Sequence, residues 1–148
     1  MKKKIFVTRK LLKENEEKLK ELFEVTLNKE DRIYKPQEII DGSKNFDGIL
    51  SSVSDPISAD TISKLSSSIK IIANGAVGFG NIDIKAAKEK GITVTNTPDV
   101  LTDATADIQI LLLLGASRKA YEGRLAAETQ NWKWSWDFLL GKQMSNKK

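Results

Sequence analysis

Three segments hold the residues best suited to chemistry. The first, Asn74-Gly75-Ala76-Val77-Gly78-Phe79-Gly80-Asn81, directly follows an apolar run. Glycines at that spacing let a ligand approach the backbone closely, and successive free N–H groups in such a turn can form a concave anion site. A strand-to-helix turn that needs glycine for geometry alone would have the same composition. The second is Ser51-Ser52-Val53-Ser54-Asp55, where hydroxyls and turn residues crowd after another apolar run. The third runs from Thr95 to Asp107 and offers hydroxyls and carboxylates that could cap a helix. Asp103 and Asp107 fall one helical turn apart, as paired carboxylates or as the dipole-favoured start of a helix. The glycine segment is not a dinucleotide fingerprint. That pattern wants G-x-G-x-x-G in the first strand-to-helix turn with an acidic residue about twenty positions on.

Two zeros narrow the chemistry further. The chain has no cysteine, which excludes a disulfide framework, a thiolate nucleophile and a sulfur-bound zinc, and fits a reducing compartment. It also has no histidine, so triads and imidazole-based metal sites are excluded and no metal site is expected. An acid or base within this chain would have to be carboxylate, lysine or tyrosine, or else lie elsewhere.

The elements that must position these segments alternate regularly. Ile5-Phe6-Val7 predicts a strand, with Thr8 as N-cap of a helix carrying Leu11, Leu12, Leu19, Leu22 and Phe23 at helical spacing. Val25-Thr26-Leu27 predicts a second strand, and Gln37 to Ile40 a short turn of helix after Pro36. Asp47 to Ser51 reads as a buried strand, and Ser58 as the cap of a helix bearing Ile62 and Leu65. Ile69 to Ala73 is the fourth strand. Asp83 caps the next helix through Ala86 and Ala87, Gly91 closes it, and Ile92-Thr93-Val94 is the fifth strand. A long helix follows, roughly Thr102 to Arg118, apolar enough on several sides to demand a partner surface, with a second helical stretch to about Glu128. Parallel connections need crossovers, and right-handed crossovers put helices on both faces. The expectation is a flavodoxin-like α/β fold: a five-stranded parallel sheet with helices on both faces.

Composition agrees with a soluble domain of that kind. Its 148 residues are 40% hydrophobic and 30% charged, enough to bury a core. The net charge of +4 sits largely at the ends, in Lys2-Lys3-Lys4 and Lys147-Lys148, which read as solvated termini. Only Trp132-Lys133-Trp134 approaches the interleaving of basic and aromatic residues that a nucleic-acid surface needs, so no nucleic-acid partner is expected. The most apolar stretch, Ile108 to Ala116, carries Gln109 and stops near Arg118, too short to span a bilayer. With no signal-peptide core after Met1, the expected location is cytoplasmic.

Taken together, Ile72 to Asp83 and Lys90 to Asp107, with Thr95-Asn96-Thr97-Pro98-Asp99-Val100-Leu101-Thr102-Asp103-Ala104-Thr105-Ala106-Asp107 at the second motif's heart, strongly resemble the D-isomer-specific 2-hydroxyacid dehydrogenases, in particular the glyoxylate/hydroxypyruvate reductase branch. The resemblance covers essentially the whole chain. It implies a two-domain enzyme that reduces a small 2-oxo acid to a D-2-hydroxy acid with NAD or NADP as cofactor, in its reduced form. It implies that residues 1–101 are the flavodoxin-like substrate-binding domain. Residues 102–148 would then be a long interdomain or dimer helix with a tryptophan-rich dimerisation segment. The backbone at Ala76, Val77 and Gly78 would hold the substrate carboxylate, Ser52 and Val53 would line the same pocket, and Thr105 would lie near the nicotinamide. Gly75 and Gly80 stand where many relatives carry an aromatic and an acidic residue.

The resemblance also implies what this chain lacks. The NAD(P)-binding Rossmann domain, with its glycine turn, substrate-gripping arginine and His–Glu pair, has no counterpart here. The chain is therefore expected to be truncated, to carry no catalytic residue of its own, to bind no cofactor alone and to be inactive alone. Trp132, Trp134 and Trp136 would either pack under the chain's own helix or serve an interface, where such residues are enriched. Trp134 or Trp136 could then shape a neighbouring subunit's pocket, and self-association, as a homodimer, is expected. The alternative reading is a free-standing flavodoxin-like binding or assembly module without turnover. A flavin-binding flavodoxin is disfavoured because Thr8-Arg9-Lys10-Leu11 is not a hydroxyl-rich phosphate loop.

Overall fold

Strands and helices alternate as the apolar periodicity requires in the computed structural model, which describes residues 1–146. The basic pair Lys147-Lys148 lies outside the described residues. Two compact units divide the chain, Met1–Val100 and Leu101–Lys148.

The first unit runs β1 (Lys4–Val7), α1 (Lys13–Leu22), β2 (Glu24–Thr26), α2 (Pro36–Gly42), β3 (Gly48–Ser51), α3 (Ala59–Lys64), β4 (Ile71–Asn74), α4 (Ile84–Glu89) and β5 (Thr93–Thr95). Every strand pair is parallel and the order is β2-β1-β3-β4-β5. The register sets Phe6 beside Ile49, and Ile49 beside Ile72. Sequential order reverses at β1, so the carboxyl ends of β1 and β3 diverge into the crevice where ligands of such sheets collect.

Successive residues of a strand point to opposite faces, and this decides where the core sits. Ile49 and Ile72 face α2, α3 and α4 and join Ile39, Ile62, Leu65 and Ala87 in one buried cluster. Leu50 points the other way, where Leu11, Leu19 and Leu22 gather around it beside α1. Phe6 stacks on Tyr34 at 5.7 Å and tilts against Phe46. Two caps match the residues expected for them: Ser58 accepts from the Thr61 N–H, and Asp83 accepts from the Ala86 N–H. Gly91 ends α4 at φ +74°, a conformation open to glycine at little cost.

Other expectations are corrected. Thr8 caps no helix: α1 starts five residues later behind Leu12, which makes no side-chain cap, while the Thr8 hydroxyl is buried against Asp55. Ile69 and Ile92 are core residues leading into β4 and β5, but neither is part of a strand. Burial made them apolar, and burial does not require a place in the hydrogen-bonded ladder.

The second unit consists of α5 (Thr102–Ser117) and α6 (Ala120–Glu128), joined at Lys119 in the left-handed conformation, followed by a non-helical tail. The tail returns to the corner through the Lys142 N–H, which donates to Ser117 O at 2.7 Å. None of the hydroxyls and carboxylates expected to cap α5 does so; its N-cap position is Leu101, without a side-chain bond. Asp103 lies in the first turn, the dipole-favoured position. No residue of α5 is buried, and Ile110 to Leu114 are all exposed. The tryptophans do not pack beneath this unit's helices: Trp134 and Trp136 are 92% and 97% exposed.

Candidate functional site

The site is built from the carboxyl ends of β1, β3 and β4 and the loops that leave them. In the segment after β4 four successive carbonyl groups, from Ala76 to Phe79, are committed. Ala76 O accepts from the Thr97 N–H, Val77 O from the Asn96 side-chain amide, Gly78 O from the Asn74 amide, and Phe79 O from the Ile82 N–H. The amide N–H groups of Val77, Gly78, Phe79 and Gly80, in contrast, donate to no acceptor among the described residues. With one side of the turn pinned, its donors are presented as a fixed group, which is the arrangement an anion needs. Chain geometry leaves room for this: a Cβ added at Gly78 or Gly80 would meet nothing within 4 Å.

The loop after β3 is fastened to this turn by an asparagine clamp. The Asn81 Nδ2 donates to Ser52 O at 3.0 Å and Asp55 O at 3.1 Å. Its Oδ1 accepts from Asn74 Nδ2 at 3.3 Å, and Asn74 Oδ1 accepts from the Ser51 hydroxyl at 3.1 Å. Carbonyl partners can only accept, so the orientation of both side-chain amides is forced. Beneath the loop, Asp55 is fully buried, and its Oδ2 accepts from the Ser52 N–H at 2.7 Å and from the Thr8 hydroxyl at 2.5 Å. Asp55 Oδ1 is buried without a hydrogen-bond partner among the described residues. That orphan is a cost that the other contacts of the loop must offset.

Arg9 closes the crevice at the end of β1. Its Nε donates to Asp31 Oδ1 at 3.0 Å and its Nη1 to the Ser54 hydroxyl at 3.1 Å. The Lys10 N–H also donates to Asp31, and this bond together with that of Arg9 holds the Asp31 carboxyl below the usual carboxylate range.

Ser52, Val53, Ala76, Val77 and Gly78, the residues singled out from sequence, thus lie on two loops tied to each other in the first unit. Their roles in that arrangement differ. Ser52 and Ala76 have committed N–H groups, to Asp55 and Asn74 O respectively, whereas Val77 and Gly78 have free ones. Thr105 belongs to the second unit, where its hydroxyl donates to Leu101 O. Sequence reasoning missed Arg9, Thr8 and Asp55 as a set, and the paired roles of Asn74 and Asn81. The available signal was polar residues at strand ends, positions that are buried and must therefore find partners.

No group of histidine, cysteine, aspartate and glutamate suited to a metal occurs among the described residues. The turn after β4 does not fit a dinucleotide pyrophosphate either. The helix behind it has only six residues, and the Asp83 carboxylate already accepts from its Ala86 N–H. Among the described residues no helix is long and apolar enough to cross a membrane.

A parallel sheet of this order, with its loops and pinned backbone donors at the carboxyl edge, belongs to the class of open α/β domains whose ligands collect in that crevice. Comparison with known proteins makes this specific. Residues 5–133 match the catalytic domain of the D-isomer specific 2-hydroxyacid dehydrogenases, and the chain belongs to that family. A glyoxylate reductase from Korarchaeum cryptofilum is 38% identical over 95% of this chain and 42% of its own length. A Polaromonas sp. JS6 66 structure assigned to the same family, described as NAD-binding, is 33% identical with a TM-score of 0.88, over 99% of this chain and 46% of that one. The NADPH-dependent glyoxylate/hydroxypyruvate reductase of Sinorhizobium meliloti, solved with NADP and malonate, is 30% identical with a TM-score of 0.73, over 89% of this chain and 40% of that one. The chain spans less than half the length of each of these relatives.

Proposed function

We propose that this chain is the substrate-binding part of an oxidoreductase that reduces a 2-oxo acid of the glyoxylate or hydroxypyruvate type to a D-2-hydroxy acid. The observation that carries this reading is the run of N–H groups from Val77 to Gly80, without an acceptor among the described residues, above pinned carbonyls. The substrate carboxylate accepts from the Val77 and Gly78 N–H groups, and Ser52 and Val53 line the same pocket. Holding the carboxylate fixes the carbonyl carbon for attack, and such positioning supplies a large part of the rate of a two-reactant step.

NAD or NADP, in its reduced form, supplies the hydride when bound to a domain outside these residues, and Thr105 faces the nicotinamide. The 148 residues contain no histidine, so an imidazole that protonates the carbonyl oxygen comes from outside them. This chain by itself binds no cofactor and turns over no substrate. The exposed apolar residues of α5 and the tryptophan-rich tail support self-association as a homodimer. The working compartment is the cytoplasm, consistent with the absence of cysteine.

The test is a titration of the 15N-labelled chain with glyoxylate and hydroxypyruvate, alongside an NADH-oxidation assay on the same sample. The expected result is amide shifts concentrated at Val53, Val77 and Gly78 with no turnover. Shifts confined to other regions overturn the carboxylate site, and turnover overturns the need for an outside proton donor.

A further inference from the structure

The crevice between β1 and β3 is a second compartment beside the amide turn, with a volume of about 390 Å³. Val7 and Leu50 make its apolar floor, and Arg9, Ser52, Ser54 and Gly75 contribute to its walls. Gly75 is two residues before Val77, and Ser52 precedes Val53, so the crevice opens from the loops that hold the carboxylate. Whatever is attached to the far side of the substrate's carbonyl carbon has this space to enter.

The wall is polar in a directed way. A guanidinium carries five N–H donors in a rigid plane. Arg9 spends Nε on Asp31 and Nη1 on Ser54, which locks that plane, and its Nη2 has no acceptor among the described residues. Asp31 is itself fastened by the Lys10 N–H and by Arg9, so it acts as a strut that keeps the fork aimed. Its charge also offsets part of the arginine's, which suits the crevice to a hydroxyl or carboxylate oxygen better than to a phosphate. Gly75 leaves the space open: a Cβ there would meet only Ser51 O, at 3.4 Å, so a side chain is sterically allowed and its absence is what keeps the crevice wide.

We propose that Arg9 and Gly75 form the subsite for the C3 substituent of the substrate, and that it selects 2-oxo acids bearing an oxygen on C3 over those ending in a methyl group. This rests on the carboxylate-binding reading of Val77 and Gly78. Arg9 donates to the C3 oxygen while the amide turn holds the carboxylate, so the two grips sit at opposite ends of a three-carbon acid.

The experiment compares hydroxypyruvate with pyruvate, which differ only in that oxygen, by 15N chemical-shift titration of the 148-residue chain. The expected result is hydroxypyruvate binding about tenfold tighter, the worth of one hydrogen bond to a charged donor. Arg9→Met brings the ratio to about one, and Arg9→Lys, which keeps the charge and loses the fork, gives an intermediate ratio. Gly75→Val narrows the crevice and lowers the ratio with Arg9 intact, so the proposal stays testable if Arg9→Met unfolds. Shifts at Val77 and Gly78 with both acids, but with an unchanged ratio in the variants, overturn the Arg9 subsite and leave the carboxylate site standing. No shift at Val77 and Gly78 with either acid overturns both.

Discussion

Replacing Asn81 tests the clamp most directly, because two isosteric or smaller side chains should behave in the opposite order to their size. Asn81 donates to two carbonyls, Ser52 O and Asp55 O, and accepts from Asn74. At about 1 kcal/mol net for each neutral hydrogen bond, Asn81→Ala removes these three partly buried bonds and costs about 2 to 3 kcal/mol. Asn81→Asp keeps the shape and the bond from Asn74, which gains some charge assistance. It also sets a carboxylate oxygen where the amide nitrogen now lies, about 3 Å from two carbonyl oxygens, half-buried and with no donor. Loss of two bonds plus that unpaired charge, less the gain at Asn74, comes to about 4 kcal/mol. All three tryptophans lie in the second unit, so a probe within the first unit is the better assay. Native-state amide exchange at Ile49 and Ile72, buried in the core of the first unit, reads its stability directly. A 4 kcal/mol loss accelerates exchange there by nearly a thousandfold, and the aspartate variant should exceed the alanine variant by about tenfold. An aspartate variant that exchanges no faster than the alanine variant would refute the orientation of Asn81 and the clamp with it.

Further predictions concern packing and charge around the same sheet. Glu38 accepts from both terminal nitrogens of Arg32 and from the Lys35 N–H, which together hold its carboxyl at about 2. Because that folded-state value lies below the ordinary 4.5, the pair stabilises the fold above the ordinary value and its contribution is lost as pH falls from about 4.5 to about 2. Glu38→Gln should therefore flatten the acid limb of a pH–stability curve in that window, and a 13C titration should place the Glu38 midpoint near 2 in the parent and higher in Arg32→Ala. Gly48→Ala puts a methyl group 2.8 Å from Ile71 Cγ2 and 3.3 Å from the Ile71 carbonyl, inside the β3–β4 pair. It should cost about 1 to 3 kcal/mol in urea unfolding followed by circular dichroism. Lys90 Nζ donates to Ile62 O, Ser63 O and Leu65 O at the end of α3. Lys90→Met takes this donor from Ser63 O and Leu65 O beside the helix dipole and leaves Ile62 O with the Leu65 N–H alone, which should lower stability by about 2 kcal/mol in the same assay, with Lys90→Arg recovering part of it.

Much of the frame is legible in the residues because strand, turn and helix carry different periods. The short apolar runs around Ile49 and Ile72, the caps Ser58 and Asp83, and Gly91 all announce themselves locally. Thr8 misleads because a hydroxyl after a strand looks the same whether it caps a helix or meets a carboxylate from forty-seven residues away. The position of the glycine turn is equally legible. Which of its N–H groups are free is not, since that depends on Asn74, Asn96 and Thr97 reaching its carbonyls across the fold. The apolar character of α5 is plain in the sequence, but sequence does not reveal that none of its residues is buried.

The ties of the clamp also have a kinetic meaning. Thr8 meets Asp55, Ser52 meets Asn81, and Val77 meets Asn96, so each bond closes a loop of roughly twenty to fifty residues. Closing such loops costs entropy that must be spent before the contact repays it. The donor turn therefore takes its final form only after β1, β3, β4 and the segment beyond β5 have come together, and a growing polypeptide that has not yet delivered Asn96 presents an unfinished one. A small acid that binds the turn recognises the completed sheet alone, and by mass action it stabilises the folded chain by RT ln(1 + [L]/Kd), a gain that keeps growing after the site is nearly full.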